Sequence, residues 1–201
     1  MIEKPAETSV PLHEPLTQRW SPRAFADRPV EPDKLRALFE AARWAASTNN
    51  FQPWSFIVAQ RNDRPAFDRM LACLLPGNQS WAQVAPVLIL TFYRPNRPGE
   101  DKVLRTALHD LGMATAMLSV QAEAMGLRTH HMGGIDLDRI RTAYGVPADV
   151  EPATGIAVGY QGDASVLPEE KDRAREGNPR TRKPLAEVVF AGTYGAAAAF
   201  D

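Results

Sequence analysis

Arg19, Ser21 and Arg23 fall close together in "RWSPR", and Arg180, Arg182 and Lys183 cluster near the other end of the chain in "RTRK". Guanidinium forks match the oxygens of a phosphate monoester. Two such clusters in a chain of formal net charge -1 point to a local anionic ligand. Solvated surface charge is the competing account of both. The segment "STNNFQPW", residues 47 to 54, weighs against that account. Ser47, Asn50 and Gln52 bring hydroxyl and amide groups beside Trp54, with none of the glycine that bends an ordinary turn. Such a loop either bonds its own backbone or reads a polar, planar partner, such as a heterocycle edge or the hydroxyls of a polyol.

Other chemistries lack their signatures. There is no GxGxxG after a strand, no GxxxxGK[ST], no HExxH, no CxxC and no GxSxG. His130 and His131 are adjacent, so in a strand they point to opposite faces, a poor arrangement for one metal ion. Cys73 is the single cysteine. An intrachain disulfide is therefore impossible, and a small core residue in a reducing compartment is the expectation. The near-neutral charge supplies no field for nucleic acid. The polar N-terminus lacks an apolar signal segment, and no apolar run is long enough for a membrane span, so a soluble, cytoplasmic protein is expected.

These residues need elements to position them. Leu35, Leu38, Phe39, Ala42 and Ala46 recur at helical spacing, which predicts a helix from about Pro32 to Ala46. A strand follows "QPW" to about Ala59, and a helix spans about Arg64 to Leu75, stopped by "PGN". "APVLILTFY", 85 to 93, is apolar throughout and reads as a central strand covered on both faces. The segment 101 to 126 is the longest expected helix, with Leu104, Leu108, Leu111, Thr115, Leu118 and Ala122 on one side. Met113, Ala114, Ala116 and Met117 make it apolar on further faces. Such a helix is either packed against a second copy of the chain or central in a monomer core. "LRTHHM" and "ATGIAVGY" read as strands, with a turn and helix between them, and 161 to 183 as polar and irregular. "PLAEVVF" closes the regular part. The organisation expected is a flexible lead over 1–15, one α+β domain over 16–195, and a short tail over 196–201.

The ordered series "RWSPRAF", "ASTNNFQPW", "NQSWAQVAPVLIL", "DLGMATAMLSVQAEAMGLRTHHMGGID", "AVGYQG" and "RKPLAEVVF" resembles the FMN-dependent nitroreductase family over roughly residues 16 to 195. Trp20 departs from the pattern, standing where the family often has a second arginine. The resemblance implies an α/β sandwich with a mainly antiparallel sheet, built as an intertwined homodimer with FMN at the interface. It implies that Arg19, Ser21, Arg180 and Arg182 hold the phosphate and ribityl end, and that Arg23 approaches the pyrimidine N1/O2 edge. Asn50 and Gln52, from the other subunit, would meet the ribityl or flavin polar groups, with Ser47 beside them. Asn78 would meet the pyrimidine edge, Gly133 and Gly134 would present N–H groups near N5, and Gly159 would bring backbone close to the cofactor. The implied activity passes hydride from NADH or NADPH to flavin N5 and then to a nitroaromatic, quinone or similar acceptor, in alternating half-reactions. A cation at Arg23 suits this, because reduced flavin gathers negative charge at N1–C2=O. The acceptor pocket is expected from residues 94–105 and 161–175. The same residues would also serve a family member specialised for dehydrogenation or dehalogenation, or a flavin-binding protein with little turnover.

Overall fold

The computed structural model describes residues 2–97 and 99–200. Met1 and Asp201, at the ends of the expected lead and tail, and Pro98, in the loop assigned to the acceptor pocket, lie outside the described residues.

Four strands form one antiparallel sheet: β1 (Trp54–Gln60), β2 (Val87–Tyr93), β3 (Arg128–Met132) and β4 (Glu151–Gly159), in the order β1-β2-β4-β3. The uninterrupted apolar run of β2 has its reason in this order, since the strand is interior and covered on both faces. Its side chains alternate between two cores. Val87 and Ile89, with Ile156 and Val158 of β4, join Leu38 and Leu118 on one face. Leu88, Leu90 and Phe92 join Phe67, Met70, Trp81 and Ile140 on the other. The sheet is thus sandwiched between helices, the α+β arrangement expected.

The first layer is α2 (Pro32–Arg43) packed against α5 (Ala107–Ala124). Pro32 occupies the first turn of α2, where its missing N–H costs nothing. This helix stops at Arg43, so Ala45 is buried and Ala46 exposed. The second layer holds α3 (Arg64–Leu71), α4 (Pro76–Ala82) and α6 (Leu137–Tyr144). Asp63 and Asp136 cap α3 and α6 by accepting from Ala66 N–H and Arg139 N–H, and Gly145 ends α6 at φ +58°. The short α1 (Glu14–Gln18) precedes the "RWSPR" segment, and α7 (Glu170–Gly177) follows β4.

Several expectations on element boundaries need correction. "PGN" does not end a helix into a loop: Pro76 starts α4, which therefore carries Asn78. The long helix begins at Ala107, six residues later than expected, because the backbone ahead of it bonds elsewhere. Leu104 N–H donates to Pro95 O and Arg97 N–H to Lys102 O. Its buried side runs through Ala107, Leu111, Ala114, Leu118 and Ala122, while Leu108, Met113 and Met117 are exposed. The stretch 161 to 183 contains α7. Of "PLAEVVF", only Leu185–Glu187 forms a 3-10 turn, and the segment meets no sheet strand among the described residues. No helix among them is long and apolar enough to cross a membrane.

Candidate functional site

A cavity of about 510 Å3 opens where the two ends of the chain meet. Arg19, Ser21 and Arg23 reach it from the segment after α1, and Arg180 and Arg182 from the arm after α7. The structure thus unites the two arginine clusters that the sequence separates by some 160 positions. Lys4 and Arg175 add further positive charge, and no lining side chain is a carboxylate. Arg19 Nη1 donates to Ser21 Oγ at 3.3 Å. Arg180 Nη1 donates to Thr17 O at 2.9 Å and to Lys4 O. Among the described residues Arg182 bonds only the carbonyl of neighbouring Thr181, at 2.7 Å, and it is exposed. Burial lowers the pKa of Arg19, and the charge of Arg182 lowers it further. Burial does the same at Arg180, joined by Arg19 and Arg182. Like charges gathered with no carboxylate among the lining side chains favour an anion in the space they share.

The wall behind Arg23 is acidic. Glu176 of α7 is buried, and its carboxylate accepts from the backbone N–H of Arg23 at 2.9 Å and of Ala24 at 3.1 Å. Asp172, one turn earlier and fully buried, accepts from Ser80 Oγ at 3.0 Å. Its other oxygen stands 3.8 Å from Arg23 Nε and 3.6 Å from Arg175 Nη1. Buried charge is tolerable only when paired in this way. Arg23 Nε is nevertheless buried without a hydrogen-bond partner.

Next to this wall, α4 brings Asn78 against the turn after β3. Asn78 Nδ2 donates to Gly134 O at 3.0 Å, and Leu75 N–H donates to the same carbonyl. A Cβ on Gly134 would come within 2.7 Å of Asn78 Nδ2, whereas one on Gly133 would meet nothing within 4 Å. Neither glycine N–H donates to another described residue. The same helix presents Trp81, whose ring stacks at 4.4 Å on His130 and lies 5.9 Å from the Arg23 guanidinium. His130 Nδ1 meets Pro22 O at 3.0 Å, fastening "RWSPR" to β3. Burial holds the pKa of this imidazole down to about 4, with the charge of Arg23 acting in the same direction.

The amide-rich loop answers both ways. Ser47 Oγ accepts from Gln52 N–H at 3.1 Å, and Gln52 Nε2 donates to Asn50 O at 3.0 Å, so these two side chains serve the loop itself. The carboxamide of Asn50 is exposed and bonds no described residue. Asn49, Asn50 and Gln52 all have left-handed backbone, at φ +48°, +57° and +49°. Asparagine adopts this region readily and glutamine does not, at a cost of roughly 1–2 kcal/mol. The conformation is held from outside by α5 and the residue before it: Thr48 N–H donates to Asp110 Oδ2 at 3.1 Å, and Thr48 Oγ1 lies 2.6 Å from Thr106 Oγ1. Strained backbone of this kind concentrates at functional sites.

Ser47, Asn50 and Gln52 do not line the cavity at the chain ends, and neither do Asn78, Gly133 and Gly134. Gly159 is placed elsewhere again. It is buried at the end of β4, and a Cβ there would sit 2.6 Å from the Pro86 ring and 3.0 Å from Phe25. Its missing side chain makes room for the protein's own core. Two cationic residues of the cavity have no mark in the sequence. Arg175 sits in the charged run "KDRAREG", which has no apolar period, and Lys4 lies in a segment without any structural signal.

An antiparallel sheet between helical layers, with an arginine-lined cavity where distant segments of the chain meet, defines an α+β protein with a strongly positive cavity. Residues 16–160 match the family model described as the Nitroreductase family, and the chain belongs to that family. It is 34% identical over 146 residues to an uncharacterized 15.4 kDa protein of Mycolicibacterium smegmatis, covering 70% of this chain and 97% of that one. It is 29% identical over 177 residues to the FMN reductase [NAD(P)H] of Bacillus subtilis, covering 77% of this chain and 69% of the relative. A crystal structure described as an oxidoreductase containing FMN superposes with a TM-score of 0.87 at 35% identity, covering 94% of this chain and 96% of that one.

Replacing Gln52 with glycine should relieve left-handed strain and raise the unfolding free energy by up to about 1 kcal/mol, seen as a higher urea midpoint. A lower midpoint would mean that the side-chain bond to Asn50 outweighs the strain. The His130 imidazole titrates near 6.5 when unfolded and near 4 when folded, so between these values the unfolded chain binds more protons. Stability should therefore fall as the pH drops through this window, by up to about 1.4 kcal/mol per pH unit from this group. Urea midpoints at several pH values should show a shallower slope for His130→Gln; an unchanged slope would contradict the assignment.

Proposed function

We propose that the chain is an FMN-dependent oxidoreductase that uses NADH or NADPH to reduce a nitroaromatic, a quinone or a similar acceptor, and that it works as a homodimer. The observation carrying this reading is the cavity in which Arg19, Arg23, Arg180 and Arg182 converge with no carboxylate among the lining residues. A phosphate monoester suits that donor set, because guanidinium groups pair bidentately with its oxygens. The unpartnered, buried Nε of Arg23 and the free N–H groups of Gly133 and Gly134 suit a ligand that accepts hydrogen bonds beyond the phosphate. The names of the Bacillus subtilis relative and of the FMN-containing oxidoreductase support the same cofactor and, for the former, the nicotinamide donor.

In this reading Arg19, Ser21, Arg180 and Arg182 hold the phosphate and the ribityl end. Arg23 faces the N1/O2 edge, where its charge stabilises the anionic reduced state. Asn78 and the turn of Gly133 and Gly134 form the adjoining wall. FMN bound there supplies the hydride chemistry, accepting two electrons from the nicotinamide and passing them on. The protein then needs no strong acid or base of its own, consistent with the absence of a Ser-His-Asp or paired-carboxylate pattern in the sequence. Ser47, Asn50 and Gln52 approach the cofactor from the second subunit. The exposed apolar residues of α5, Leu108, Met113 and Met117, belong to the surface that the second subunit covers.

The test is an anaerobic absorbance spectrum before and after NADPH and then NADH. A yellow protein that bleaches, and regains its colour with a nitroaromatic or quinone, is the expected result. A colourless protein that takes up no added FMN would overturn the reading. Arg23→Ala should retain FMN roughly 10- to 100-fold more weakly, the scale of one lost charge-assisted hydrogen bond, and should be reduced more slowly. Unchanged cofactor content and reduction rate would refute the role of Arg23.

A further inference from the structure

Lys4 lies 176 positions before Arg180, yet the two residues form one knot. The Lys4 ammonium donates to the carbonyl of Glu176 and, at 2.6 Å, to that of Asn178. These carbonyls end α7 and start the arm that carries Arg180 and Arg182. In return, the Lys4 carbonyl accepts from Arg180 Nη1. The ammonium also rests 4.4 Å from the centre of the buried Trp20 ring, a cation–π contact. The segment around Lys4 is secured on both sides: Ala6 N–H donates to Thr17 O at 2.8 Å, and Gln161 Nε2 donates to Ile2 O. Among the described residues the ammonium forms no direct ion pair, and burial lowers its pKa, opposed by the charge of Glu176 and reinforced by those of Arg23 and Arg180.

We infer that Lys4 is a positioning residue for the anion cavity: it clasps the arm after α7 onto Trp20, and so sets Arg180 and Arg182 against Arg19. This rests on the FMN reading for the identity of the anion. Three facts carry it. The arm has no regular structure between Gly177 and Leu185 to hold it in place. The contacts of Lys4 fall on backbone at the root of the arm, where one ammonium can restrain the residues that follow. Arg180 spends one nitrogen on the carbonyls of Lys4 and Thr17, which orients the rest of its guanidinium. Trp20, standing where a second arginine is usual in the family pattern, gives the ammonium its seat. Positive charge is thereby returned to the cavity from the N-terminal segment. The specificity expected is for the phosphate end of the ligand alone.

The experiment compares Lys4→Met and Lys4→Arg with the parent protein in two assays. Binding of FMN and of riboflavin, which lacks the phosphate, is followed by quenching of flavin fluorescence. Trypsin cleavage after Arg180 and Arg182 is timed in flavin-free protein. Lys4→Met should bind FMN at least about tenfold more weakly, the scale of one charge-assisted hydrogen bond, with riboflavin affinity unchanged and faster cleavage of the arm. Lys4→Arg should restore much of both. Equal FMN affinity in parent and Lys4→Met would overturn the inference, and so would equal losses for FMN and riboflavin, which would indicate general loosening. A parent protein that binds neither flavin would remove the FMN reading itself, a result distinct from any difference between variants.

Discussion

Mutual repulsion among Arg19, Arg23, Arg180 and Lys4 is the constraint that the site's architecture must answer. Cations gathered around one cavity cannot be held by apolar packing alone, because each would turn toward water. Asp172 and Glu176 supply the answer from behind the wall, both buried on α7. Glu176 binds backbone rather than guanidinium, fixing the chain at residues 23 and 24 and leaving the arginine side chain to face outward. Asp172 stands close enough to Arg23 to offset its charge without hydrogen-bonding its Nε. The cavity therefore stays positive while the fold around it stays paired.

The rest of the structure divides the work of positioning. The sheet and its two cores carry the burial, and α4 links them to the site through Trp81, which touches His130 and approaches Arg23. The amide loop is anchored differently, by Thr106 and Asp110. Its left-handed residues keep a shape that an unstrained turn would not. Rigid elements thus hold the arginine wall, whereas local strain shapes the loop.

Legibility in the sequence followed the physical signal behind each element. β2 was readable because burial on both faces leaves an unbroken apolar run, and α2 because one face is apolar at helical spacing. α7 was missed because its buried positions include Asp172 and Glu176, so its inward face looks like a solvated one. The start of the long helix was misplaced because Leu104 is buried from a loop, which periodicity cannot distinguish from a helical turn. Both arginine clusters were visible as chemistry, but their meeting was not, since charge carries no information about distance in the fold. Lys4 had no signal at all: its role depends on backbone carbonyls, which every residue possesses.

The joining of the chain's two ends at the cavity also has a consequence in time. A chain made from its N-terminus has all four strands by Gly159, and the sheet with its two cores can assemble from that point. Arg180 and Arg182 are still to come. During synthesis the protein passes through a stage that is folded at its centre but lacks half of its cationic cradle. The positive cavity is therefore completed only when the segment carrying Arg180 and Arg182 has emerged and packed against the segment carrying Arg19.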